Sequence, residues 1–202
     1  MHLFQRIAVL QDGMEYDGCD CLSAAPYFGC GPIEVETGWL LYSLVRRIKP
    51  KTIVQTGTHL GYSSAWMAIA LAETHRDYPH LSGHLWSWDC GDYDKKPLSL
   101  MTHLGVQEYT TFITADSKTG DVPEECTPID FLFLDADHAA ESVVAEFERF
   151  GPYLSPGALI GFHDTRLDPR EAEGVRLIQE QTGWQGIFLR NLRGIDFLQK
   201  PL

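Results

Sequence analysis

Short apolar segments alternate with helical ones from residue 52 onward, and this alternation limits the fold more than any other property of the chain. "TIVQT" (52–56), "HLWSWD" (84–89), "YTTFIT" (109–114), "IDFLFLD" (129–135) and "GALIGFHD" (157–164) read as strands. "YSSAWMAIALAETH" (62–75), residues 97–104, "AAESVVAEFERFGPYL" (139–154) and residues 170–182 read as the helices between and after them. Leu40, Leu41, Leu44, Val45 and Ile48 fall at helical spacing in an earlier segment, 35–49, that Pro50 ends. "WQGIFL" and "GIDFLQ" flank the turn "RNLRG" as a closing hairpin. Strands separated by helices predict an α/β fold with a mostly parallel sheet, helices on both faces, and one antiparallel strand from the hairpin.

In such a sheet a ligand binds beyond the carboxyl ends of the strands, where the strand order reverses. After the first strand comes "QTGTHLGYSS", in which Gly57 and Gly61 bracket a turn into a helix. Glycine suits backbone that approaches a ligand closely, and the helix N-terminus beyond it offers N–H groups. The spacing is G-x-x-x-G, so the dinucleotide fingerprint is absent and a nicotinamide dehydrogenase is disfavoured. Asp89 ends the second strand, suited to ribose hydroxyls or simply a loop aspartate. "ADS" follows the third, and Asp116 could meet an adenine amino group or serve only a local turn. Asp135, Asp137 and His138 follow the fourth strand, and His163 and Asp164 the fifth. Asp137 alone could be a helix cap. Charged groups at the end of a buried strand are costly unless paired, hydrated or metal-bound, so two such ends point to function.

Composition narrows the partners. In 202 residues, 28 acidic side chains against 16 basic ones leave a net charge of −12. That field repels phosphate polymers, and Arg46, Arg47, Lys49 and Lys51 form only a small basic cluster, so nucleic-acid binding is not expected. No apolar run approaches the ~18 residues of a membrane span. No signal-peptide pattern opens the chain, and a cytoplasmic location is expected. Five cysteines make no disulfide framework. Cys19, Cys21 and Cys30 lack the second pair of a zinc site and read as free thiols. Residues 12–34, rich in Gly, Cys, Asp and aromatics, have no clear period, so residues 1–34 read as an N-terminal arm or lid before one domain at 35–202.

"IVQTGTHLGYSS", "WSWD", "TADS" and "IDFLFLDADHAAESVVAEFERFGPYLSPGALIGFHDT" together resemble the class I S-adenosylmethionine-dependent methyltransferases. The likeness is greatest to small-molecule O-methyltransferases related to the catechol and macrolide-sugar enzymes. The resemblance implies a Rossmann-like, seven-stranded, mostly parallel sheet with an antiparallel last strand. It implies methyl transfer from S-adenosylmethionine to a hydroxyl of a small molecule. Gly57, Thr58 and Gly61 would line the methionine part of the cofactor, with Ser63 in the same set and Gln55 at the amino end. Gln55 replaces the family's usual acid. Asp89 would hold the ribose, Asp116 and Ser117 the adenine, and Asp135 both cofactor and metal. His138 stands where catechol-type enzymes carry a basic lysine, and Asp137 matches the catalytic carboxylate of the sugar-modifying relatives. Asp137 and His138 are therefore the expected proton acceptors, with His163 a third candidate. Asp135, His163 and Asp164 are the expected ligands of a divalent metal, magnesium or manganese, which would bind the acceptor oxygen. His163 replaces an aspartate and shifts preference from magnesium towards manganese, iron or zinc. Metal dependence stays open, as does a non-methylating or accessory binding role on the same scaffold. The expected partners are a small-molecule acceptor and a second copy in a homodimer.

Overall fold

The computed structural model describes residues 3, 5–8, 33–91, 93, 95–190 and 192–202. The arm or lid expected at 12–34 therefore lies almost wholly outside the described residues, as do Cys19, Cys21 and Cys30. The remaining cysteines, exposed Cys90 and buried Cys126, are free thiols. In chain order the elements are α1 (Val35–Ile48), β1 (Thr52–Thr56), α2 (Tyr62–Asp77), β2 (His84–Asp89), α3 (Lys96–Leu104) and β3 (Thr110–Thr114). Then follow β4 (Ile129–Leu134), α4 (Ala140–Phe150), β5 (Leu154–His163), α5 (Pro169–Thr182), β6 (Gln185–Leu189) and β7 (Ile195–Gln199).

The seven strands form one sheet in the order β3-β2-β1-β4-β5-β7-β6. β1 to β5 pair in parallel, while β7 is antiparallel to both neighbours. The expected Rossmann-like architecture is the observed one. The side-chain period of two splits each central strand between two cores. Ile53, Phe131 and Phe133 face Leu41, Val45 and Trp66 on the side of α1 and α2. Val54, Leu132 and Leu134 face Phe147, Phe150, Val175 and Ile178 on the side of α4 and α5. β1 and β4 have both faces covered, which is why their sequences show no polar alternation. Among the described residues, no helix is long and apolar enough to cross a membrane.

One boundary differs from expectation. The helix read as 139–154 ends at Phe150, because Pro152 lacks an N–H and Gly151–Tyr153 tightens into a single 3₁₀ turn. β5 then starts at Leu154 instead of Gly157. Its pairing with β4 slips between Ile129↔Leu154 and Phe131↔Leu159, a bulge containing Pro156 and Gly157.

Helix α1 packs on α2 through Gly38. A Cβ there would lie 2.3 Å from the indole nitrogen of fully buried Trp66. In an exposed helix Gly→Ala would stabilise by ~1 kcal/mol. Here the overpacking outweighs propensity, and Gly38→Ala is expected to destabilise by about 1–3 kcal/mol in urea denaturation. An unchanged or higher midpoint would show that Trp66 yields at no cost.

Candidate active site

The chain leaves β1 for β2 and β3, then returns to β4 beside β1, so the order reverses between β1 and β4. Gly57 stands there with φ +77°, its N–H donating to the Trp88 carbonyl at 2.9 Å. A Cβ at Gly57 would lie 1.9 Å from the carbonyl oxygen of Asp135 at the end of β4. No other residue fits between the two strand ends. Gly61, with φ +88°, caps the start of α2 and packs against Pro97.

A cavity of about 730 Å³ opens over these strand ends. It is lined by Gly57, Thr58, Ser63, Asp89, Asp116, Ser117, Asp135, Asp137, His138, His163 and Asp164, which the sequence analysis singled out. Gln55 and Gly61 lie behind the wall. Gln55 is fully buried and its amide is committed: Nε2 donates to the Gly57 carbonyl and to Ser63 Oγ, both at 2.8 Å, and Oε1 accepts from Ser64 Oγ at 2.9 Å. It braces the glycine turn against α2, so the contact expected with the cofactor's amino end would compete with these bonds.

Asp89 accepts from the backbone N–H of His59 through Oδ2 and of Gly91 through Oδ1, both at 2.8 Å. Each oxygen keeps a second lone pair. Asp116 caps its own turn by accepting from Lys118 N at 2.9 Å. Ser117 lines the cavity, yet its hydroxyl donates to Glu146, so the expected adenine contact cannot use that proton. Glu146, buried on α4, also accepts from Thr56 Oγ1 at 3.1 Å. Burial pushes its carboxyl up to about 7, against the lowering effect of both hydroxyls. Arg149, one turn on, donates to the carbonyls of Ser117 and Asp121 and holds the loop after β3.

The far half of the cavity is a charge network. His163 is fully buried between two carboxylates, with Nδ1 3.1 Å from Asp135 Oδ1 and Nε2 2.9 Å from Glu34 Oε2. Burial disfavours a charged ring, but the Asp135 and Glu34 carboxylates outweigh it and push the imidazole up to about 10. Both ring nitrogens face carboxylates, so neither is turned freely to the cavity. Glu34 is opposed by burial, yet His163 and the Arg193 N–H, at 2.9 Å, hold it down at about 2. Asp164, in left-handed backbone with φ 60°, is gripped by Arg193: Nε to Oδ1 and Nη2 to Oδ2, both 2.6 Å.

His138 lies between Glu171 Oε2, 3.2 Å from Nδ1, and Asp164 Oδ2, 3.4 Å from Nε2. Burial opposes its charge, but Glu171, Asp135 and Asp164 raise it to about 9. Burial also raises Glu171, to about 8, against the pull of His138. The pair therefore retains a proton at neutral pH. Asp137 is exposed and accepts from Ser142 Oγ at 2.7 Å and Ala139 N at 3.2 Å. The Ser142 hydroxyl, despite some burial, holds it below the ordinary carboxylate range. It braces the start of α4, and the lowered carboxyl is a weaker proton acceptor than an ordinary one.

The metal set also changes. Asp135, His138 and Asp164, not His163, bring one donor atom each within 4.8 Å of one another. Both oxygens of Asp164 already accept from the Arg193 guanidinium, and its positive charge makes the cluster a poor fit for a cation while it stays there.

Glu34, Glu146, Glu171 and Arg193 were missed in the sequence. Topology held a signal for Arg193: β6 runs parallel to β5, so the β6–β7 turn lies at the same edge as the strand ends. Glu171 follows the Asp168-Pro169 cap of α5, whose Asp168 Oδ1 accepts from Arg170 N at 2.9 Å. No spacing rule connects it to His138.

This sheet, with a glycine turn at its switch point and acids at successive strand ends, is the architecture of a class I methyltransferase. The chain belongs to the methyltransferase domain family, whose sequence pattern matches residues 54–165. Among solved structures, the O-methyltransferase TomG of Streptomyces achromogenes is 20% identical, with a TM-score of 0.70 over 98% of this chain and 90% of its own. An O-methyltransferase from Bacillus cereus is 18% identical, with a TM-score of 0.65 over 97% and 91%. The curated protein y4gI of Sinorhizobium fredii is 31% identical over 145 residues, 65% of this chain. The chain spans only 16% of the length of that relative.

Glu146 yields a stability prediction. Its carboxyl moves from 4.5 to about 7 on folding, so the folded state binds more protons between those values and stability falls as pH rises through that window. Glu146→Gln removes that loss. Its melting temperature relative to the parent is expected to rise from pH 5 to pH 8, by an amount equivalent to at most about 3 kcal/mol. A pH-independent difference would show that Glu146 is ionised throughout.

Proposed function

We propose that this protein transfers the methyl group of S-adenosylmethionine to a hydroxyl oxygen of a small molecule. The observation that carries this reading is the single cavity wall running from Gly57 through Asp89 and Asp116 to Asp135 and His138. Gly57 lines the wall expected to meet the methionine part, and the spare lone pairs of Asp89 suit two ribose hydroxyls. Asp116 borders the end expected for adenine. TomG was solved with S-adenosylmethionine and the Bacillus cereus enzyme with S-adenosylhomocysteine, which supports the same donor here. Both are O-methyltransferases, which supports oxygen as the acceptor.

Methyl transfer from a sulfonium is an in-line displacement, and most of the acceleration comes from holding the acceptor oxygen against the methyl group. The acceptor's proton must also leave. His138 suits that task. It borders the cavity, Glu171 orients its Nδ1, and Nε2 is 3.4 Å from Asp164, too far for a strong bond. The carboxylates that make it more basic than a free imidazole also keep it protonated, so transfer draws on the neutral fraction.

Calorimetry with S-adenosylhomocysteine tests the donor site. Asp89→Ala is expected to weaken binding at least about tenfold, the value of one or two hydrogen bonds to a charged group. Unchanged affinity would remove the ribose assignment. With labelled S-adenosylmethionine and a panel of phenols, catechols and sugar hydroxyls, His138→Ala is expected to lower turnover by about 10²-fold or more, while cofactor affinity changes less than about threefold. Equal turnover in both proteins would exclude His138 as the base.

A further inference from the structure

Arg193 is held from every side. Its N–H donates to Glu34 Oε1 at 2.9 Å, and its carbonyl accepts from the N–H groups of Arg166 and Leu167, both at 2.9 Å. Gly194 follows with φ +90°, where a Cβ would lie 2.4 Å from Arg166 N, so the turn has no slack. The guanidinium then forks onto Asp164, which is 1% exposed. A divalent ion at Asp135, His138 and Asp164 would need a lone pair of Asp164 at roughly 2.0–2.6 Å. It would also sit against a cation that the backbone does not release.

We propose that Arg193 takes the place of a divalent cation in this site: it keeps metal out of the Asp135–His138–Asp164 cluster and provides fixed positive charge beside the acceptor, so the reaction runs without a metal ion. The inference rests on the methyl-transfer reading of the cavity for its role, but not for its test. Arg193 brings a fixed positive charge to both oxygens of Asp164, and His163 lies between Asp135 and Glu34. An anion developing on an acceptor oxygen meets charge that is already oriented. The carboxylates cannot collapse onto a substrate cation, because each already has a partner.

The test uses the full chain stripped with a chelator and titrated with Mn²⁺, free ion being followed by electron paramagnetic resonance. The parent protein is expected to show no saturable site at this cluster. Arg193→Met removes the guanidinium and keeps an unbranched side chain. It is expected to gain a site at least about tenfold tighter than any in the parent, lost again when Asp164→Asn is added. One stoichiometric Mn²⁺ in the parent that Asp164→Asn abolishes would overturn the proposal, as would an Arg193→Met protein with native circular dichroism and no gain. Should Arg193→Met not fold, the parent and Asp164→Asn titrations decide alone. Binding of S-adenosylhomocysteine in the same chelated samples reports separately on the methyl-transfer reading.

Discussion

The contact on which the rest depends is the approach of Gly57 to the Asp135 carbonyl, where two neighbouring strand ends leave no room for a Cβ. β1 and β4 are the most fully buried strands, so their spacing is fixed by packing on both faces. Whatever stands beyond them inherits that rigidity. Gln55 extends it by tying the Gly57 carbonyl to Ser63, and Thr56 by receiving Asp135 N at 3.4 Å. The glycine turn, the first turn of α2 and the tip of β4 are therefore one body.

A second constraint follows from the first. Strands that end inside a cavity bring their terminal acids with them, and buried carboxylates need partners. This chain recruits them from three distant segments. His163 comes from β5 itself, Arg193 from the β6–β7 turn, and His138 from the loop after β4. Glu34 then bridges His163 and Arg193 from the start of α1. This half of the cavity is thus closed by the last hairpin and the start of α1.

What the sequence disclosed follows the range of each interaction. Strand–helix alternation is local, and so the order of elements and the glycine turn were readable. The strand-end residues were readable too, because parallel topology sends all carboxyl ends to one edge. Roles were less so. His163 looked like a ligand until Glu34, 129 positions away, claimed its second nitrogen. Ser117 looked like an adenine contact, and its hydroxyl proton is already given to Glu146. Asp137 looked like a base, and it also serves the local alternative of bracing a helix through Ser142. Long-range pairings carry no period or spacing, and only the fold reveals which candidate is already engaged.

The net charge of −12 and the local cations act at different ranges. On the methyl-transfer reading the donor arrives as a sulfonium and leaves as a neutral thioether. A negative field over the whole surface draws the cationic donor in and holds the product less tightly. Close to the reacting atoms the requirement reverses, because the acceptor oxygen gains negative charge as its proton leaves. On the same reading His138 and Arg193, both beside Asp164 at the cavity wall, would meet that need at short range, where screening by salt is weak. On that reading, an acidic body around a cationic cavity edge separates attraction of the donor from stabilisation of the acceptor. The separation holds only while Arg193 stays on Asp164, for without it the strand-end acids would extend the outer field into the reaction centre.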